Sequence, residues 1–382
     1  MHKPLEGLLV LEFSQFMAGP TAGLRLADLG ARVIKIERPV KGEAGRQIAI
    51  RNIFVNGDSL VFHTINRNKE SYAADLKDPA DLERVKKLIV QADVMTHNFR
   101  PGVMEKIGLD YEKVKAINPK IVYGVVTGYG SKGPWALRPG QDLLIQSISG
   151  LTYLSDTANA GPVPFGLAVA DIMCGSHLAQ GILAALIKRA KTQQGVLVEV
   201  SLLESVLDLQ FEVITTYLND GGQIPQRSNV KGTGHPYLSA PYGIYQTADG
   251  YLALAMGDLH HIGNTIGTDL TAYPHRSEWF SKRDEIMALI AVQLKNKTTS
   301  AWLDILEPAG IWSSDILTYA QSLEHDAFKA LSIKQEVTLP DGKELSTTRC
   351  PIRIDHQRLY SAIPAPRPGA QTDLINQQFN LV

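Results

Sequence analysis

Residues 8–37 read LLVLEFSQFMAGPTAGLRLADLGARVIKIE. An apolar run from Leu8 to Phe13 leads into a Gly19-Pro20 turn, and the stretch TAGLRLADLGA then carries apolar residues at helical spacing. A second short apolar run, Val33 to Glu37, follows at once. Runs of this length suit buried parallel strands, and two parallel strands need a crossover, usually a helix, between them. The segment is expected to form a βαβ unit.

The pattern recurs along the first half. Residues Pro79 to Gln91 place Leu82, Val85, Leu88 and Ile89 on one helical face, and strands are expected at Asp93–Asn98 and Ile121–Thr127. A long helix is expected to begin near Asp171 and stop near Gly195, followed by a strand at Val196–Val200 and one further helix through SLLESVLDLQFEVITTYL. These signals predict a doubly wound α/β domain with a parallel sheet over 1–220. Past Gly221 the texture changes, with Gly222, Pro225 and GTGHPY marking a linker. A hairpin turning at Asp249-Gly250 within Gly243–Met256, then helices at 278–295 and 300–306, predict a smaller α+β domain over 225–330. Residues 331–382 hold another hairpin signal at Asp341-Gly342 and the proline-rich IPAPRPGAQ, which is expected to lie extended over the large domain and complete it.

Bulk properties narrow the function classes. The 382 residues carry a formal net charge of −1, so no global field favours nucleic acid or an anionic membrane, and neither is expected as a partner. Two cysteines, Cys174 and Cys350, make no disulfide framework and no CxxC zinc pattern. The N-terminal apolar run breaks at Ser14-Gln15, too short for a membrane span. A cytoplasmic location is expected.

Candidate chemistry sits at strand ends. The first βα turn, FMAGPTAG, lacks the GxGxxG spacing of a dinucleotide site, although Glu37 stands where a ribose-binding acid would. Arg38 follows directly and suits a ribose phosphate, as in NADP or the 3′-phospho-ADP portion of coenzyme A. The loops NRNKES (66–71), HNFRPG (97–102) and GYGSKGP (128–134) add basic and amide groups where an open sheet forms its ligand crevice. Asp171 opens a helix after small residues, and two readings stand: a helix cap, or a carboxylate nucleophile kept ionised by the helix N-terminus. Cys174 and His177, three apart on that helix, read better as a small buried thiol and its neighbour than as a catalytic pair. The pair His260-His261 lacks partners at metal-ligand spacing, and no metal is expected.

The ordered set LEGLLVLEFSQFMAGP, GARVIKIERP, NRNKES, ADVMTHNFRPGVMEKIGLDYE, INPKIVYGVVTGYGSKGP, QSISG and FGLAVADIMCGSHLAQGILAAL resembles the class III coenzyme A transferases, the CaiB/BaiF type that includes formyl-CoA:oxalate CoA-transferase. The likeness runs from Leu5 to about Thr216 and more loosely to Val382. It implies a Rossmann-like large domain and a smaller domain in an interlocked homodimer. It implies coenzyme A as a substrate with no permanently bound cofactor, and transfer of CoA from an acyl-CoA to a carboxylic acid. By resemblance Asp171 is the nucleophile, carried through an aspartyl-CoA thioester. Phe16, Met17 and Ala18 with Arg38 form the coenzyme A turn; Asn66, Lys69, Asn98, Phe99, Lys106 and Ile107 match further contacts; Arg138 lies near a basic one; Gln141 and Asp142 face substrate. Two departures stand out. Where some relatives carry a glycine lid this chain has AMGD, with only Gly257, and where the racemase branch has a histidine it has Gln141. An amide cannot shuttle a proton, so an acyl-CoA racemase or isomerase is the second reading, with an NADP-dependent oxidoreductase behind it. Small dicarboxylates such as oxalate or succinate are expected substrates by analogy.

Overall fold

The computed structural model describes residues 3–224, 226–361 and 363–382. The expected linker residue Pro225 lies outside them. Six parallel strands form the main sheet: β1 (Leu9–Glu12), β2 (Arg32–Glu37), β3 (Lys69–Ala73), β4 (Val94–His97), β5 (Val122–Thr127) and β6 (Val196–Ser201). Their order across the sheet is β3-β2-β1-β4-β5-β6, so the chain steps outward one way from β1 and then the other. That reversal puts a crevice beside the carboxyl end of β1, where such sheets bind ligands.

The helices α1 (Ala18–Asp28), α2 (Leu60–Asn66), α3 (Pro79–Gln91), α4 (Asp142–Ile148) and α5 (Val169–Thr192) lie between these strands in the chain, and α6 (Leu202–Leu209) follows the last of them. Leu9, Leu11, Ile34, Tyr72, Val85, Leu88, Ile89, Met95 and Tyr123 form one buried core from the sheet and α3. The predicted amphipathic face of 79–91 is thus the face that is buried. Helix α5 is long and apolar enough by composition to cross a membrane. Its Cys174, Leu178, Ile182 and Ala185 are buried against the protein, which makes it a core helix.

Two compact units divide the chain: residues 1–145, 167–209 and 331–382 in one, 146–166 and 210–330 in the other. The sequence reading placed 146–166 and 210–220 in the large domain; they group with the smaller unit. The single helix expected through 201–218 is two, α6 and α7 (Phe211–Asn219), broken at Gln210. The smaller unit contains the expected hairpin, β7 (Gly243–Gln246) with β8 (Tyr251–Leu254), antiparallel and flanked by β9 (Ser313–Asp315). Leu252, Ile262, Ile286, Ile290, Trp302 and Leu306 fill its core.

The 331–382 segment begins with the second expected hairpin, β10 (Lys334–Thr338) and β11 (Glu344–Thr348). The proline-rich stretch then runs along β3, an edge strand. The Gln371 N–H donates to Ser71 O, while the Ser71 and Ala73 N–H groups donate to the side chains of Gln371 and Thr372. The tail thereby satisfies an edge that would otherwise expose unpaired backbone groups. The segment was expected to be extended only; it ends in a helix, α8 (Thr372–Gln378), whose Ile375 joins the main core.

Candidate active site

The first βα turn is clamped residue by residue. Ser14 O accepts from Lys35 Nζ at 2.7 Å. The Gln15 N–H donates to Asn98 Oδ1 at 2.8 Å, and Asn98 Nδ2 donates back to Gln15 O at 2.6 Å. The Phe16 N–H donates to Glu43 Oε2 at 2.8 Å. Phe16 itself adopts a left-handed backbone (φ 64°) with its ring half exposed, a strained state that persists only when neighbours impose it. Helix α1 then starts at Met17 with no side chain capping its first amides, an arrangement suited to an anion.

The clamps grow from a charged network under the turn. Glu12 accepts from Lys35 at 3.0 Å and from Lys69 at 2.9 Å, and all three side chains are fully buried. Lys35 also meets Glu43 at 3.1 Å. Glu37 accepts two bonds from Arg46 and one from Ser71. A β-carbon on Gly23 would lie 1.7 Å from Glu12 Oε2, so glycine there lets α1 close over the acid.

This network bears on three of the expected residues. Glu37 is committed to Arg46 and Ser71 and offers nothing to a ribose, which removes one support for a dinucleotide turn. Lys69 donates to Glu12, Pro20 O and Asn66, and Asn66 is itself fully buried. Both side chains are buried and brace the turn from beneath. The polar residues inside strand VIKIE and before the GP turn carried the signal: a charge inside a buried apolar run demands a buried partner.

Asp171 is not the helix cap. The capping position of α5 is Ala168, without a side-chain bond, and Asp171 lies three residues in. The cap comes from Asp142: its Oδ1 accepts from the Ala170 N–H at 2.7 Å and the Asp171 N–H at 3.3 Å. These are the amides an N-cap side chain normally serves. A second expectation also changes. Burial, and then the Asp142 carboxylate, push Asp171 up to about 7 from its ordinary 3.8. The helix end does favour negative charge, but Asp142 has taken that place and repels a second anion.

The same helix is pressed onto the turn. One helical turn after Asp171, a β-carbon on Gly175 would stand 2.5 Å from Ala18 O and 2.9 Å from Thr21 Cβ. Glycine at 175 thus sets the spacing between the Asp171 helix and the Phe16–Ala18 turn. Cys174 is fully buried and its thiol is pushed up to about 12, mainly by burial, so it is inert. His177 contacts Ser205 Oγ and Asp208, two residues of α6. His261 contacts Ala309 O, and among the described residues no group of three or more metal-ligating side chains gathers.

The remaining predicted residues lie on loops, apart from Lys106 and Ile107 in the short helix Val103–Ile107. Arg38, Lys106, Arg138 and Gln141 are exposed; Phe99 stacks on His97, and Ile107 packs partly on the core. Beyond Arg38 a cleft of about 760 Å³ is lined by Val40, Lys41, Gln47, Asn56, Asp58 and Arg367. Lys41 and Arg367 were not singled out from sequence, because they converge only when the tail folds back.

CoA-transferase family III, as a family description, matches residues 5–372. The chain belongs to that family. It is a class III CoA-transferase, similar to the succinyl-CoA:glutarate CoA-transferase of Mus musculus, 31% identical over 97% of this chain and 85% of the relative. The succinate–glutarate CoA-transferase of Agrobacterium fabrum is 32% identical over 96% of this chain and 93% of that protein. Among solved structures, a CAIB/BAIF family protein from Brucella suis superposes with a TM-score of 0.84 at 32% identity, covering 99% of this chain and all of the other. The parallel six-stranded α/β fold is therefore a family property.

Proposed function

We propose that this CoA-transferase moves coenzyme A from succinyl-CoA to a second small dicarboxylate, glutarate being the first to try, through a thioester on Asp171. The observation that carries the mechanism is the position of Asp171: a partly buried carboxylate on a helix held by Gly175 against the Phe16–Ala18 turn. The substrates follow the printed activities of the mouse and Agrobacterium relatives.

Deprotonated Asp171 attacks the thioester carbonyl of the donor, forming a mixed anhydride and expelling the CoA thiolate. The thiolate then attacks the Asp171 carbonyl of that anhydride, giving the enzyme thioester and releasing succinate. The acceptor carboxylate attacks this thioester, forming a second mixed anhydride and expelling the thiolate, which then attacks the acceptor's carbonyl and releases Asp171 as its carboxylate. Covalent catalysis of this kind splits one hard exchange into easier steps. The amides of Ala170 and Asp171 are already engaged by Asp142, so oxyanion stabilisation falls to other donors. Phe16, Met17 and Ala18, with Arg38, Asn98, Phe99, Lys106, Ile107, Arg138 and Gln141, remain the proposed coenzyme A and substrate contacts. Lys41 and Arg367 are added for anionic groups of the nucleotide.

A cytoplasmic homodimer completes the reading. Phe211, Leu218 and Ile224 are 67, 71 and 76% exposed, an apolar surface that a second copy would cover. Both cysteines are buried and unpaired, consistent with a reducing compartment. Asp171→Ala is expected to lower succinyl-CoA:glutarate exchange by ~10³-fold or more. Wild type quenched during turnover should yield a CoA-sized adduct on the peptide containing Asp171. Full exchange by Asp171→Ala sinks the mechanism. Absence of exchange with succinyl-CoA, alongside turnover of another donor, sinks the substrate alone.

A further inference from the structure

We infer that Asp142 is a positioning residue for the transfer reaction: its carboxylate fixes the start of α5 and, by its charge, drives Asp171 toward the neutral acylated form. This rests on Asp171 being the nucleophile.

Two contacts make the geometric case. One oxygen of Asp142 takes both the Ala170 and the Asp171 amides, so the backbone carrying the nucleophile hangs from this side chain. The second acid is therefore held in place by the first. The Asp142 carboxylate so placed also opposes charge on the Asp171 side chain.

Charge bookkeeping over the reaction gives this arrangement a direction. Before acylation Asp171 is an anion facing Asp142. When the donor acyl group has left as its free carboxylate, the negative charge leaves with it, and the side chain of Asp171 is an uncharged thioester. Repulsion from Asp142 is present only in the first state, so it raises the free carboxylate and not the intermediate. The nucleophile is thereby made more basic and less stable, while the two hydrogen bonds keep it from moving away. Other titratable groups along the helix do not play this part: the Cys174 thiol stays neutral, with Glu204 bearing on it, and His177 faces Ser205 and Asp208.

Asp142→Asn separates charge from geometry, because the amide oxygen can still accept both N–H bonds. With succinyl-CoA and glutarate as probes, the acid limb of kcat/KM in this variant should move down by about one pH unit. The ratio of trapped Asp171 thioester to free enzyme at pH 8 should fall about tenfold, the same electrostatic effect seen at equilibrium. Asp142→Ala should show the same displaced limb with a further loss of kcat that Asp142→Asn does not share. A wild-type limb and wild-type adduct level in Asp142→Asn overturn the electrostatic role. Equal kcat in the two variants overturns the positioning role. A wild-type enzyme that exchanges CoA with no adduct on the Asp171 peptide overturns the nucleophile, and this inference with it.

Discussion

Two groups of acids, one buried and one partly buried, stand close to the same turn and are built on opposite rules. Under β1, Glu12 faces Lys35 and Lys69, Lys35 also faces Glu43, and Glu37 faces Arg46. At the start of α5, Asp171 faces another acid, Asp142. Burial opposes charge in both places. In the first the opposing cations repay the cost and hold Glu37 below the ordinary carboxylate range. In the second the Asp142 carboxylate adds to the cost of burial, and Asp171 is held well above. Paired charges fix a backbone; like charges store free energy that a reaction can release. The first region is scaffold and the second is chemistry.

Breaking the paired region should have the largest effect on stability. Glu12→Ala leaves Lys69 buried without its acid, and removing one partner of a buried pair costs about 3–5 kcal/mol. Urea unfolding should show this as a lower midpoint. The Ser14–Phe16 turn loses its support at the same time, so KM for the acyl-CoA should rise even where the variant stays folded. A Glu12→Ala enzyme of wild-type midpoint would show that the network is not holding the fold.

The spacing between the two regions comes next. Gly175→Ala puts a methyl group where the Ala18 carbonyl stands, and the helix must shift to admit it. Overpacking of this sort costs about 1–3 kcal/mol. Because the displaced element carries Asp171, kcat should fall by more than the loss of stability implies. A variant with both quantities unchanged would mean that the contact between α5 and the turn is loose.

The contrast also explains what was legible beforehand. The βαβ start, the parallel sheet and both hairpins were read from apolar periodicity and Asp-Gly turns, because these are local signals, each complete within about fifteen residues. Asp171 was found as a candidate for the same reason: small residues around it are a local feature. Its true neighbour was not. Asp142 lies 28 residues earlier than the amide it caps, and only the fold brings them together. Hence one of the two sequence readings put the cap on Asp171 itself, and the other kept ionised a carboxylate that burial and Asp142 push toward the neutral acid. The buried partners of Lys69 and Asn66 are non-local in the same way. A lysine in NRNKES reads as a solvated loop until β3 pairs with β2 and carries it over Glu12.

The smallest effect carries the opposite sign and tests the second region directly. In the folded chain Asp171 prefers to be neutral, so below its ordinary 3.8 it imposes no cost. As pH rises from about 4 through 7, the unfolded chain ionises first, and folding loses free energy until the folded group ionises too. Above that the cost is constant. Asp171→Asn removes it and keeps the shape, so the variant should be more stable than wild type at pH 8, by an amount on the order of 1–2 kcal/mol. At pH 4 the difference should vanish. The same substitution should abolish exchange, since an amide cannot form the anhydride. Melting curves at both pH values decide the matter: an Asp171→Asn protein destabilised at pH 8 would mean that the carboxylate is welcomed by its surroundings, and that Asp142 does not oppose it.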